Sequence, residues 1–411
     1  MKKIAFSLKQ FFWLIFLLLL PSQLGKHFWP AGSFFWGLKI DYLSPTIYLT
    51  DIFLILLLAI QIAFGGLPRF KIRCRKIFCG LGIIFIGLNI FFAANQLLAF
   101  YGWGKFLELL ALVWLVKRNQ KLVKTWINRI IFIWFVLELA LVLGQFLNQA
   151  SLGGFFWWLG ERTFSLATPG IAKFDFFGQV LLRPYGTFSH PNSLAGFVLG
   201  AIFVDLIFGQ NLKLKIVNLI LGFLLLIFSF SRGVIFVGLL LMIFYLKETK
   251  FINRFLDQFL ILFWLVSFGL FLKTFWQEES FFFRWLLFLA ASKMFVLHPF
   301  FGVGLKNFIL LLPDYWPQDK INYLLFQPVH NIYLLLLAEI GIGGVGLFIF
   351  FLKRRGPRII LPPKMLFPLL VVLLTGLFDH YWLTLEQNFL FLGIILGLLN
   401  NNSKPKIFGK I

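Results

Sequence analysis

Five histidines and three arginines give this 411-residue chain most of its means to do chemistry. His27, His190, His298, His330 and His380 are titratable near neutrality. Arg183, Arg232 and Arg284 carry planar forks that grip phosphate or carboxylate through paired N–H donors. The run Arg183-Pro184-Tyr185-Gly186-Thr187-Phe188-Ser189-His190-Pro191-Asn192 sets Pro191 in a first helical turn, with Ser189 or His190 as cap. Gly186 permits a tight backbone there. A helix N-terminus beside an arginine suits a phosphate. The same residues also read as a plain capped helix start with an arginine reaching for headgroups.

Pro328-Val329-His330-Asn331-Ile332-Tyr333 places an imidazole where an apolar run begins. It is either a general base or hydrogen-bond donor toward a substrate, or an interfacial ring satisfied by a loop carbonyl. His298, before Pro299 and two phenylalanines, reads as structural. Arg232, in Ser231-Arg232-Gly233, separates two short apolar runs. An arginine at a bilayer centre costs about 2.5–3.5 kcal/mol, so it must reach water, a headgroup or an anion. Asp379-His380 sets a carboxylate beside an imidazole, where Asp379 would orient His380, offset the arginines or merely form a turn. The chain has no Asp-x-Asp pair, no His-Glu-x-x-His motif, no P-loop and no dinucleotide fingerprint. With few carboxylates beside these residues, neither a metal nor another cofactor is expected.

Positioning these groups falls to a membrane-embedded scaffold. Hydrophobic residues make up 60% of the chain and charged residues 13%, with mean hydropathy +0.90; soluble domains carry about 25% charged residues. The net charge of +22 suggests nucleic acid at first sight. The basic residues, however, sit in clusters between apolar runs, the pattern that sets membrane orientation, and no nucleic-acid partner is expected. The apolar runs predict an all-α polytopic protein, a single membrane domain over 1–411. About twelve spans are centred near residues 15, 54, 85, 107, 136, 200, 221, 239, 265, 341, 372 and 393. The clusters at 69–76, 117–124, 213–215, 247–254 and 353–358, with both termini, fall on the cytoplasmic side, and every histidine falls outside. Two outer connections, about 148–191 and 274–330, are long and aromatic, which marks them as functional segments lying on the interface. Met1-Lys2-Lys3 followed by an apolar run reads as an uncleaved first span. Cys74 and Cys79 lack His or Cys neighbours, which speaks against a metal or a disulfide.

Taken together, the motifs resemble the O-antigen ligase/polymerase family of bacterial inner-membrane glycosyltransferases. The resemblance is carried by Arg183, Gly186-Thr187-Phe188, Pro191-Asn192, Ser231-Arg232-Gly233 and Arg284-Trp285. It continues through Pro299, Gly302-Val303-Gly304, Asn307-Phe308, His330-Asn331, Tyr333, Glu339, Gly341 and Gly343. It covers roughly residues 180–345.

The resemblance implies a membrane glycosyltransferase architecture with a large outer loop between the ninth and tenth spans, roofing the site. It implies transfer of a glycan from an undecaprenyl diphosphate-linked donor to a hydroxyl on a glycan, lipid or protein acceptor. The family's functional residues, two outer arginines and one histidine, fall by motif on Arg183, Arg284 and His330. The expected reaction is metal-independent and inverting: Arg183 and Arg284 hold the diphosphate, Arg232 adds positive potential, and His330 serves the acceptor hydroxyl. Ligase and polymerase differ only in the acceptor. A transporter of lipid-linked glycan would instead use the intramembrane acids Asp51, Glu108, Glu138 and Glu339, and a non-catalytic scaffold would use the aromatic loops.

Overall fold

The computed structural model describes residues 2–66, 74–176, 178–249, 258, 278–317, 326–353 and 362–399. The span expected near 265, much of the basic clusters at 69–76, 247–254 and 353–358, and the C-terminal lysines lie outside these residues, as do the side chains of Cys74 and Cys79. The first helices are α1 (Lys2–Leu19), α2 (Leu49–Gly65), α3 (Cys74–Phe91), α4 (Gln96–Arg118) and α5 (Gln120–Asn148). The middle of the chain forms α6 (Pro191–Phe208), α7 (Leu212–Ser229), α8 (Arg232–Thr249), α9 (Glu278–Leu297) and α10 (Phe308–Tyr315). The last are α11 (Ile332–Lys353), α12 (Phe367–Thr375), α13 (Tyr381–Thr384) and α14 (Glu386–Leu399). By length and composition, α4, α5, α6, α7 and residues 332–350 of α11 are long and apolar enough to cross a membrane. Every other expected span centre except 265 also falls within a helix.

α6 is the axis of the bundle. It is apolar all round, its span is 83% buried, and only a helix surrounded by protein can hide every face. Small residues let its neighbours close in: a Cβ at Gly200 would meet Phe391 at 3.0 Å and Trp382 at 3.3 Å. The large core joins α1, α2, α4 through α8, α12 and α14, and Trp134 Nε1 donates to Leu17 O at 2.9 Å to seat α1 within it.

Within the aromatic connection expected over 274–330, residues 278–297 and 308–315 are helical, and Leu287, Ala290, Ala291 and Met294 are all buried and recur at the spacing of one helix face. With Leu98, Val303, Phe308, Ile309, Leu335 and Ala338 they form a second core. The fold is also not purely helical. Short antiparallel pairs occur: β1 (Gly25–His27) with β4 (Thr46–Tyr48), β2 (Phe34–Phe35) with β3 (Leu38–Lys39), and β5 (Lys173–Phe176) with β6 (Gln179–Leu182). They lie in the connections, where no helical neighbour satisfies the backbone and a hairpin does.

Residues 298–307 interlock with α11. The helix opens at Gly341, φ +62, and Ile342 N donates to Pro299 O at 2.8 Å while Gly343 N donates to Phe300 O at 3.1 Å. In return, Val303 N and Gly304 N donate to Ala338 O and Glu339 O. Any Cβ at Gly302 or Gly341 would collide with the opposing backbone. The glycines of this motif are therefore architectural.

Candidate active site

The segment between β6 and α6 is held from beneath by two buried side chains of α5. Gln145 Oε1 accepts from Tyr185 N at 2.9 Å and Gly186 N at 2.8 Å, and its Nε2 donates to Gly186 O at 3.0 Å. Glu138 accepts from Thr187 N at 3.0 Å and from the Thr187 hydroxyl. Gly186 has φ +59 and packs against the Glu138 carboxylate with no room for a side chain. Glu138 is thus a structural acceptor for this loop. The other intramembrane acids are engaged too: Asp51 and Glu108 pair with Lys105 at 2.7 and 3.0 Å, and Glu339 takes the Tyr42 hydroxyl and Phe308 N.

Above that support lies Arg183. Its Nε and Nη2 both donate to Ser229 O at 3.1 Å, one of the free carbonyls at the C-terminus of α7, whose dipole favours a cation. Nη2 also donates to Asn192 Oδ1 at 2.7 Å. Nη1 makes no hydrogen bond among the described residues. Burial lowers the Arg183 pKa to about 10, Arg232 and Arg284 adding to the shift, so the guanidinium stays charged at neutrality.

α6 begins beside it. His190 is the cap, its Nδ1 accepting from Asn192 N at 3.1 Å, with Pro191 at the first turn. That bond requires an unprotonated Nδ1. Burial, reinforced by the charge of Arg183, pushes the His190 pKa down to about 3.

Asn192 bridges the segment to the turn before α13. Its Oδ1 also accepts from the Ser231 hydroxyl at 2.9 Å, and its Nδ2 donates to Asp379 Oδ2 at 2.9 Å. Asp379 Oδ1 lies 3.4 Å from His330 Nδ1, an ion-pair distance whose angle does not make a hydrogen bond. The His330 and His380 rings are 5.2 Å apart. Burial alone would raise the Asp379 pKa, but the imidazoles facing it, His330 first, hold it well below the usual carboxylate range. Burial lowers His380 to about 4 despite Asp379, so His380 is neutral near pH 7. Arg284, in the second turn of α9, donates from Nη1 to Phe378 O at 3.3 Å, next to Asp379. Arg232 opens α8, directly after the Ser231 that bonds Asn192.

The structure therefore gathers Arg183, Arg232, Arg284 and His330 at one end of the bundle. It adds Asp379, Asn192, His190 and His380 to them. The Asp379 carboxylate faces His330 and Asn192 and also accepts from His380 N at 2.8 Å, while His380 Nδ1 meets the Thr384 hydroxyl at 2.7 Å. His298 stands apart, its Nε2 2.7 Å from the Tyr315 hydroxyl. Asn192 and Asp379 were visible as polar residues beside Pro191 and His380; only the fold shows that one amide spans the gap between them.

His330, Asp379 and His380 each offer one donor atom, all within 4.8 Å of one another, close enough for a metal ion. Three guanidinium groups nearby oppose a second cation there. The same guanidiniums, one helix N-terminus and a carboxylate-backed imidazole suit a reaction in which a phosphate leaves and a hydroxyl attacks.

Residues 192–351 match the family model described as O-antigen ligase, a stretch from the first turn of α6 into α11. It contains Asn192, Arg232, Arg284 and His330, while Arg183 lies just ahead of it and Asp379 beyond it. No curated protein matches the chain.

Proposed function

We propose that this chain, which carries the O-antigen ligase domain over residues 192–351, transfers a glycan from a polyprenyl diphosphate carrier to an acceptor hydroxyl at the outer surface of the cytoplasmic membrane. The observation that carries the reading is the Arg183–Asn192–Asp379–His330 chain of contacts, which puts an anion-gripping fork and an oriented imidazole on opposite ends of one amide. Arg183 through Nη1, with Arg284, holds the diphosphate and stabilises its charge as the sugar–phosphate bond breaks. Arg232 adds positive potential at the mouth of α8. His330, its Nδ1 side turned to Asp379, takes the acceptor proton at Nε2. Attack on the face opposite the departing diphosphate inverts the sugar carbon. With guanidiniums neutralising the leaving group, the step runs without a metal.

The test is transfer in proteoliposomes from an undecaprenyl diphosphate-linked oligosaccharide to a panel of acceptors. Carrier release should fall by about 100-fold or more in Arg183→Ala, Arg284→Ala and His330→Ala protein. Full transfer by any of these, at normal folding levels, removes that residue's role. Activity should survive exhaustive chelation; a strict metal requirement would put the ion on His330, Asp379 and His380 instead. The acceptor that becomes labelled separates ligase from polymerase. A carrier for lipid-linked glycan is disfavoured because Asp51, Glu108, Glu138 and Glu339 are each tied to structural partners.

A further inference from the structure

Lys306 is a recessed cation that forms no close ion pair among the described residues. It sits at φ +61, left-handed backbone that a lysine rarely adopts, in the turn before α10. Its Nζ lies 5.1 Å from the centre of the Tyr42 ring and 5.0 Å from that of Tyr101. Gly102 of α4 makes room for its stem, since a Cβ there would press on Lys306 Cγ at 3.3 Å. The Glu339 carboxylate, within electrostatic reach, takes the Tyr42 hydroxyl, Phe308 N and the Lys306 backbone without reaching the Lys306 ammonium at ion-pair distance. Burial lowers the Lys306 pKa to about 8, Glu339 opposing, so the group remains mostly charged at neutrality. A desolvated cation held by two aromatic faces lacks the partner its burial calls for.

Other basic groups lie alongside. His27, in β1, is within electrostatic reach of Lys306, Arg162 and Asp41. Its Nδ1 meets the Thr46 hydroxyl at 2.9 Å and its ring stacks on Trp29 at 5.6 Å. Lys39 Nζ lies 5.4 Å from the centre of the same indole. Arg162 pairs loosely with Asp41 at 3.6 Å, both side chains about half exposed, a contact worth little. Its Nη1 donates to Ser189 O at 3.4 Å, one residue before His190. An arc of basic side chains, with Lys306 and Arg162 as its cations and His27 between them, thus runs to the edge of the Arg183 site.

We propose that this arc binds the acidic groups, carboxylate or phosphate, of the acceptor glycan and delivers its hydroxyl to His330. The assignment of an acceptor rests on the transferase reading. Trp29 fixes His27 and Lys39 beside the arc, while Lys306 and Arg162 take substituents along one extended chain. A chain of sugars can send one charged substituent between the two tyrosines, which a planar layer of headgroups does not.

The experiment measures binding, independent of turnover, with the full chain in nanodiscs of neutral lipid. The probes are a galacturonic acid hexamer and its methyl ester, identical in length and differing in charge. The acid should bind roughly tenfold tighter than the ester. Arg162→Gln and Lys306→Met should each erase about fivefold or more of that preference, whereas Arg284→Gln should leave it intact. Arg162→Gln, at an exposed site, keeps the test sharp where Lys306→Met fails to fold. Equal binding of the two hexamers, or a preference lost with Arg284→Gln and kept in Arg162→Gln, overturns the proposal. So does displacement of the acid by phosphatidylglycerol nanodiscs in a Lys306-dependent manner, which makes the ligand a headgroup. Binding as expected with no transfer to any acceptor would defeat the transferase reading and leave the anion site standing.

Discussion

Asp379 faces His330 across 3.4 Å while its other oxygen is held by Asn192, so the carboxylate has one orientation and the imidazole one side turned inward. Asp379→Asn keeps the shape and removes the charge that backs His330. Turnover should fall by about 100-fold or more with little change in donor affinity, as general-base contributions of this size imply. Single-turnover transfer beside a donor-binding titration checks it, and an equal loss in both would make Asp379 a donor contact.

Arg183→Lys is not conservative in this site. An ammonium could replace Nη2, which meets both Ser229 O and Asn192 Oδ1, but it lacks the planar fork that presents Nη1 to a phosphate. Donor affinity should drop by about tenfold or more. Lysine binding the donor as arginine does would return Arg183 to a purely structural place at the end of α7.

Glu138→Ala leaves the Thr187 N–H without its acceptor and opens space beneath Gly186. We expect a loss of about 2–3 kcal/mol in stability, seen as a lower Tm in detergent. Gly186→Ala should be at least as harmful, because φ +59 and the Glu138 carboxylate both exclude a methyl group. An unchanged Tm in both would remove α5 as the support of the loop.

Acid should destabilise the protein in part through two buried histidines. His190 and His380 have folded pKa values of about 3 and about 4, below their ordinary 6.5. The unfolded chain therefore binds more protons in this window, and stability present above pH 6.5 is lost as pH falls toward those values. Asp379, also depressed, acts in the same direction at lower pH still. His380→Gln should flatten the fall in Tm between about pH 6.5 and 5; a slope identical to the unaltered protein's would show that His380 is already charged there.

Hydropathy located the helices well because a span must be apolar over its whole length, and that pattern needs no knowledge of neighbours. It did not count α9 as a span, and the buried face of Leu287, Ala290, Ala291 and Met294 alternates there with the exposed Phe282, Trp285 and Phe288. The members of the candidate cluster stood out in the sequence where a motif carries an unusual residue, as at Arg183, Arg284 and His330. The cluster was illegible where an ordinary amide does the joining. Nothing in the letter at 192 announces contacts to residues 183, 231 and 379, since those partners meet only after three helix ends converge.

The anchor of Arg183 on Ser229 is a peptide carbonyl. Every amino acid brings one, so this contact asks nothing of the side chain at position 229, whose buried hydroxyl instead serves Leu226 O and Ser231 N. Comparison of related chains should accordingly find no paired substitution linking 183 and 229. The constraint instead falls on where α7 stops. Lengthening or shortening that helix by one residue would rotate its final carbonyl away from Arg183, so insertions and deletions, rather than replacements, are the changes this contact forbids.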